Sequence, residues 1–134
     1  MSNNVTDRIL LKKVYDTYYS TFCAFDHNSQ LRESKIYVPI DCQTIAKELK
    51  LNPDIVFGRL YYHLNKKYGY KQNDGSMVHL FALKTGSDKH TVHFPLLSAV
   101  LAELEQSYYR FTIPIFVSLT ALIISITPYL FRNI

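Results

Sequence analysis

Residues 41–68, DCQTIAKELKLNPDIVFGRLYYHLNKKY, decide how the rest of the chain is read. They describe two helices joined by a tight turn. Asp41 is placed to cap the first helix, its carboxylate accepting from backbone N–H groups left unpaired in the opening turn. Ile45, Ala46 and Leu49 follow along one side, while Gln43, Lys47, Glu48 and Lys50 point elsewhere. The second helix opens on Asn52-Pro53-Asp54. Asn is a good cap, Pro loses no hydrogen bond in the first turn, and Asp suits the positive end of the helix dipole. Val56, Phe57, Leu60, Leu64 and Tyr68 form its apolar stripe, and Arg59, Tyr62, His63 and Lys66 its outer face.

Upstream, Thr6 to about Phe25 is expected to be helical. Leu11, Tyr15, Tyr18, Phe22 and Phe25 recur at spacings of four, three, four and three, a continuous apolar-aromatic stripe. Tyrosine in such a stripe serves more readily as amphipathic core than as a stacking platform for bases. Asp26 to Lys35 is a polar connection. Ile36 to Ile40 alternates and is β-branched, as a short strand should be, and Pro39 argues for an edge or a strand end.

Downstream, Gly69 to Ser76 reads as a loop with Asp74-Gly75 as its tight turn. Met77 to Lys84 and His90 to Phe94 read as two strands joined by the polar loop Thr85 to Lys89. The order is helix, strand, helix, helix, strand, strand.

That order, with the segment TIAKELKLNPDIVFGRLYYHL and small Ala46 at the helix crossing, resembles the winged helix-turn-helix superfamily over residues 6–94. Any antiparallel helix pair would show similar stripes, so the order of elements carries more of the resemblance than the pair does. The resemblance implies an α+β domain whose second paired helix and hairpin face duplex DNA. The residues that would do so are Arg59, Tyr62, His63, Lys66, Lys67 and Lys71, with Lys84 and Lys89 on the hairpin. Arg and Lys neutralise phosphates, and Arg can read guanine through paired hydrogen bonds. Asp54 and Gly58 occupy the end of the helix where base-reading side chains usually lie, and Asp54 repels phosphate. From Asp41 to Gly75 the net charge is only +2, from Lys47, Lys50, Arg59, Lys66, Lys67 and Lys71 against Asp41, Glu48, Asp54 and Asp74. Winged helices also bind proteins, so an adaptor role stays open.

The whole chain has 134 residues, is 48% hydrophobic and carries a net charge of +4, with a pI near 9.0. This suits one small domain with an anionic partner, nucleic acid or an acidic membrane surface. Cys23 and Cys42 sit in no CxxC pair, which points to reduced thiols rather than a disulfide scaffold. No phosphate-cradling loop, nucleophile elbow or paired-carboxylate motif is present, so no enzyme activity and no cofactor are expected. His79, His90 and His93 could converge on the hairpin. Without HxH, CxxC or HExxH spacing they read as surface histidines, and no metal site is expected.

Leu96 to Arg110 is expected to form an amphipathic helix with Leu97, Val100, Leu101, Leu104 and Tyr108 on one side. It could pair with a second copy or pack back on the first helix. From Phe111 to Phe131 there is no charged residue, and Ile113 to Phe131 holds eleven Ile, Leu, Val or Phe. As helix, about 20 residues span about 30 Å, the thickness of bilayer hydrocarbon. Those residues contribute about −3 to −7 kcal/mol toward insertion before the polar penalties. Arg110, Arg132 and Tyr129 stand where interfacial anchors belong. The alternative, a buried helix in an oligomer, would ordinarily show a polar face. Small Ser118, Ala121 and Ser125 share one side and permit close helix approach.

The expected organisation is a winged helix domain (1–95), a connecting amphipathic helix (96–110), a transmembrane helix (111–131) and a short tail (132–134). It implies a single-pass, tail-anchored protein with its N-terminal domain in the cytoplasm, since no signal peptide precedes the domain and the thiols are unpaired. The leading expectation is a membrane-tethered DNA-binding regulator. The alternative is a membrane adaptor or complex subunit. Its partners would be duplex DNA, a lipid bilayer, a second copy through residues 96–125, or another protein.

Overall fold

The computed structural model describes residues 4–132 and shows an α+β arrangement of helices with small antiparallel sheets. Residues 133 and 134 of the expected tail lie outside the described residues. The chain divides into two compact units, Met1–Leu101 and Ala102–Ile134.

Helix α1 (Asp7–Ala24) starts where Thr6 Oγ1 accepts from the Ile9 N–H at 3.3 Å. Leu10, Leu11 and Val14 are fully buried. The aromatic residues of the expected stripe are half-buried around them. Tyr15 and Phe22 stack on Phe94 with centroids 5.2 and 4.9 Å apart. The Tyr18 hydroxyl accepts from the Asp41 N–H at 2.7 Å. These rings are core with a polar handle.

Strand β1 (Tyr37–Pro39) leads into α2 (Cys42–Leu49), where Asp41 caps the Gln43 N–H at 3.0 Å. Lys50 closes α2 in the left-handed region, and Asn52 caps the next helix through the Asp54 N–H at 2.8 Å. That helix is α3 (Pro53–Gly58), followed without interruption by a π-helical turn (Arg59–Leu64) and α4 (Asn65–Tyr68). Val56, Leu60 and Leu64 are its fully buried residues. A spacing of exactly four residues drifts around a 3.6-residue helix, and the wider π turn compensates. The stripe therefore stays on one face. Leu49, expected on the buried side of α2, is only half-buried.

Two local expectations are corrected. Residues 69–76 are not simply a loop: Tyr70 pairs with Val78 and Lys71 with Met77 in a separate two-stranded hairpin, β2 (Tyr70–Lys71) and β3 (Met77–Val78). The expected strand 77–84 is thereby broken. Asn65 sits at the break, where its Oδ1 accepts from the Leu80 N–H at 2.9 Å and from the N–H of Phe81, the first residue of the next strand, at 3.3 Å. The same turn needs Gly69, since a Cβ there would stand 2.6 Å from the Asn65 carbonyl oxygen.

The second correction is the hairpin of β4 (Phe81–Thr85) and β5 (Asp88–His93), which closes through two residues, Gly86 and Ser87, rather than five. β5 is central in the order β1-β5-β4, all antiparallel, so Pro39 lies at the end of an edge strand.

Helix α5 (Phe94–Arg132) is one continuous 39-residue helix and not a connecting helix followed by a second one. It opens with the Phe94 N–H on the Ile36 carbonyl at 2.8 Å and the Leu96 N–H on His93 Nδ1 at 3.1 Å, the histidine serving as its cap. Pro95 falls in the first turn, where no N–H is required. Phe94, Leu97, Val100 and Leu101 are buried within the first unit, so three residues of the expected dimer seam belong to the domain's own core.

Candidate functional site

The outer face of the α3–α4 helix separates into two groups. Arg59 turns back to the start of α1: its guanidinium donates to the Val5 carbonyl at 2.7 Å and to the Asp7 carboxylate. His63 Nε2 lies 3.3 Å from the other Asp7 oxygen. Burial pushes the Asp7 carboxyl up, but the Arg59 hydrogen bond and charge, with His63, outweigh it and hold the group below its ordinary value. Arg59 and His63 therefore fasten the helix to α1.

Tyr62 and Lys66 belong to the second group. They share an open groove of about 650 Å3 with Tyr61 and Asn65 on the helix side and His79, Leu83 and Lys84 on the β4 side. Tyr62 is 70% exposed and Leu83 45%. Lys67 lies over the Tyr68 ring at 5.2 Å, and Lys71 projects from the β2–β3 hairpin instead. Lys84 stands directly opposite Lys89 in the β4–β5 ladder.

The hairpin tip is held by an acidic residue. Glu33 Oε1 accepts from the Ser87 N–H at 3.1 Å and the Ser87 hydroxyl at 2.6 Å, while the Glu33 N–H donates to Asp88 at 3.2 Å. The two Ser87 bonds hold the Glu33 carboxyl below its usual value. Gly86 has φ +60, which favours glycine, and a Cβ there would displace the Glu33 carboxylate from the tip. The loop carrying Glu33 is itself organised by Arg32, a buried cation that bonds no carboxylate among the described residues. It donates to the Thr21, Phe22, Ser34 and Lys35 carbonyls at 2.8–3.1 Å and lies over the Phe25 ring at 4.9 Å. Two of those acceptors are in the last turn of α1, the negative end of its dipole.

The three histidines of the hairpin region part company. His79 lines the groove, His90 packs between Phe57 and Phe81, and His93 caps α5. Among the described residues no group of three His, Cys, Asp or Glu is placed to hold a metal ion. Cys23 and Cys42 are free, and burial, with Asp41, pushes the Cys42 thiol up to about 11.

Sequence reasoning missed Asp7, Arg32, Glu33 and Asn65. Asn65 alone left a trace, as a poor helix former inside an otherwise helical run.

From Gln106 to Arg132 every residue of α5 is exposed. The helix is long and apolar enough to cross a membrane. Each Ser and Thr from 111 to 131 bonds its own backbone: Thr112 to Tyr108, Ser118 to Pro114, Thr120 to Phe116, Ser125 to Leu122 and Thr127 to Ile123, at 2.7–2.9 Å. Hydroxyls satisfied in this way need no water, which is the condition for placing them in hydrocarbon.

No protein-family model, curated protein or solved structure matches this chain.

Proposed function

We propose that this protein is a membrane-anchored interaction module: a winged helix domain that docks a protein partner, held at a bilayer by the apolar part of α5. The domain faces the cytoplasm. Support for the winged helix assignment comes from the element order and from a sheet in which the last strand, β5, lies between β1 and β4. The observation that carries the docking role is the commitment of Arg59 and His63 to Asp7. A helix that reads DNA needs its cations turned to phosphate, and here the one arginine of that face is bonded inside the domain. Titration of the full-length protein in uncharged detergent with duplex DNA, at low and moderate salt, tests the reading. The expected outcome is no binding with a steep salt dependence; a steep dependence abolished by Lys66→Ala or Lys84→Ala overturns it.

The second reading, a membrane-tethered DNA-binding regulator, is favoured by one observation: Lys66, Lys67, Lys71, Lys84 and Lys89 are all exposed. In that case Lys66→Ala reduces the salt slope by about one unit, and Asp54→Asn tightens non-specific binding.

A further inference from the structure

The groove between Lys66 and Lys84 has the chemistry of a peptide site. One wall is the helix face bearing Tyr62 and Lys66; the other is β4, an edge strand of the three-stranded sheet. Edge strands carry backbone N–H and C=O groups without ladder partners, onto which an extended chain can add. Two cations and His79 line the recess, and among the described residues no carboxylate does. Lys84 also faces Lys89 across the ladder, a like-charge pair that is unfavourable without a compensating anion. The nearby Glu33 carboxylate, which also accepts from Ser87, attracts Lys84 and offsets part of that repulsion, but it stands at the hairpin tip and does not line the groove. Between the cations, Tyr62 and Leu83 expose apolar surface.

We infer that this groove binds an extended acidic peptide segment of a partner protein. The segment adds along β4, sets carboxylates against Lys66 and Lys84, and rests an apolar side chain between Tyr62 and Leu83. Charge complementarity selects acidic residues, and the edge strand selects an extended backbone. A DNA duplex fits this shape less well, because proteins enter its grooves with a projecting element rather than a recess. The inference rests on the docking reading above and names the partner's chemistry.

The test is selection of phage-displayed random 12-residue peptides on the full-length protein in nanodiscs of uncharged lipid. Enriched peptides should be acidic and alternate with apolar residues. Their affinity should fall about tenfold or more for the Lys66→Glu, Lys84→Glu double variant. Replacing their acidic residues with Lys should restore binding to that variant, a charge swap that general damage to the fold does not produce. Absence of acidic enrichment, or affinity unchanged by the reversal, overturns the groove assignment. If enriched peptides bind but ignore the reversal, docking stands and the groove is elsewhere. If no peptide is enriched and duplex DNA binds through Lys66 and Lys84, the docking reading falls with it.

Discussion

Leu97 and Leu119 lie on the same helix, 22 residues apart, yet Leu97 is fully buried and Leu119 is 54% exposed. Around Leu97 the helix is amphipathic: Val100 and Leu101 turn inward, while Ser98, Ala99 and Glu103 are exposed. Around Leu119 the apolar residues run all the way round, and no face offers water a charge. A one-sided stripe is satisfied by a protein core, whereas an apolar surface on every side calls for an apolar solvent. One continuous helix thus joins an amphipathic part to a part long and apolar enough to cross a membrane.

The largest expected effects come from placing the same charge in both regions. Leu122→Arg should lower membrane partition by about 2.5–3.5 kcal/mol, the cost of a cation near mid-bilayer. Flotation assays should show the loss, with an unchanged melting transition of the domain. Leu97→Arg should do the reverse, unfolding the domain while the chain still floats with membranes. If Leu122→Arg leaves partition untouched, the exposed apolar surface is covered by protein instead.

Next in size is a pair within the α3–α4 helix. Leu60→Ala should destabilise the domain by about 2–5 kcal/mol, the cost of a cavity where the side chain is almost fully buried. Tyr62→Ala, two residues on, should change stability by about 0.5 kcal/mol or less. Chemical denaturation reads both.

Arg32→Met should cost about 2–3 kcal/mol, because a methionine keeps the contact with Phe25 but leaves the Thr21, Phe22, Ser34 and Lys35 carbonyls without their donor. Exchange of amides in residues 29–36 should rise with it.

The smallest effect concerns the joint between β5 and α5. Burial holds the His93 imidazole below its ordinary pKa of 6.5, its own backbone hydrogen bond opposing the shift. The folded chain therefore favours the neutral ring, whose Nδ1 must stay unprotonated to cap Leu96. The unfolded chain takes up the proton first. Stability from this group is complete above about pH 6.5 and declines as pH falls through 6.5 toward the lower folded value. Melting curves of wild type and His93→Gln between pH 5 and 8 should converge at the acid end.

What was legible in the sequence depends on neighbours within a turn or two. Asp41 and Asn52 cap residues two positions on, the Val56–Leu60–Leu64 stripe repeats along one helix, and the uncharged run needs only its own length. Their energies arise locally, so spacing alone displays them. The break between β3 and β4 was missed because the Asn65 amide oxygen that accepts there from Leu80 lies 15 residues away in sequence. The partners of the candidate site's side chains were not legible for a similar reason. Periodicity puts Arg59 on the outside of its helix correctly, but only the fold brings Asp7, 52 residues earlier, within reach of it. Glu33 meets Ser87 across 54 residues in the same way. A helix face, a cap and a membrane-length run are properties of one stretch of chain and were determined by the sequence itself. Which cations remain free to meet a partner was decided by the tertiary structure, because an ion pair exists only where folding brings its two charges within a few ångströms.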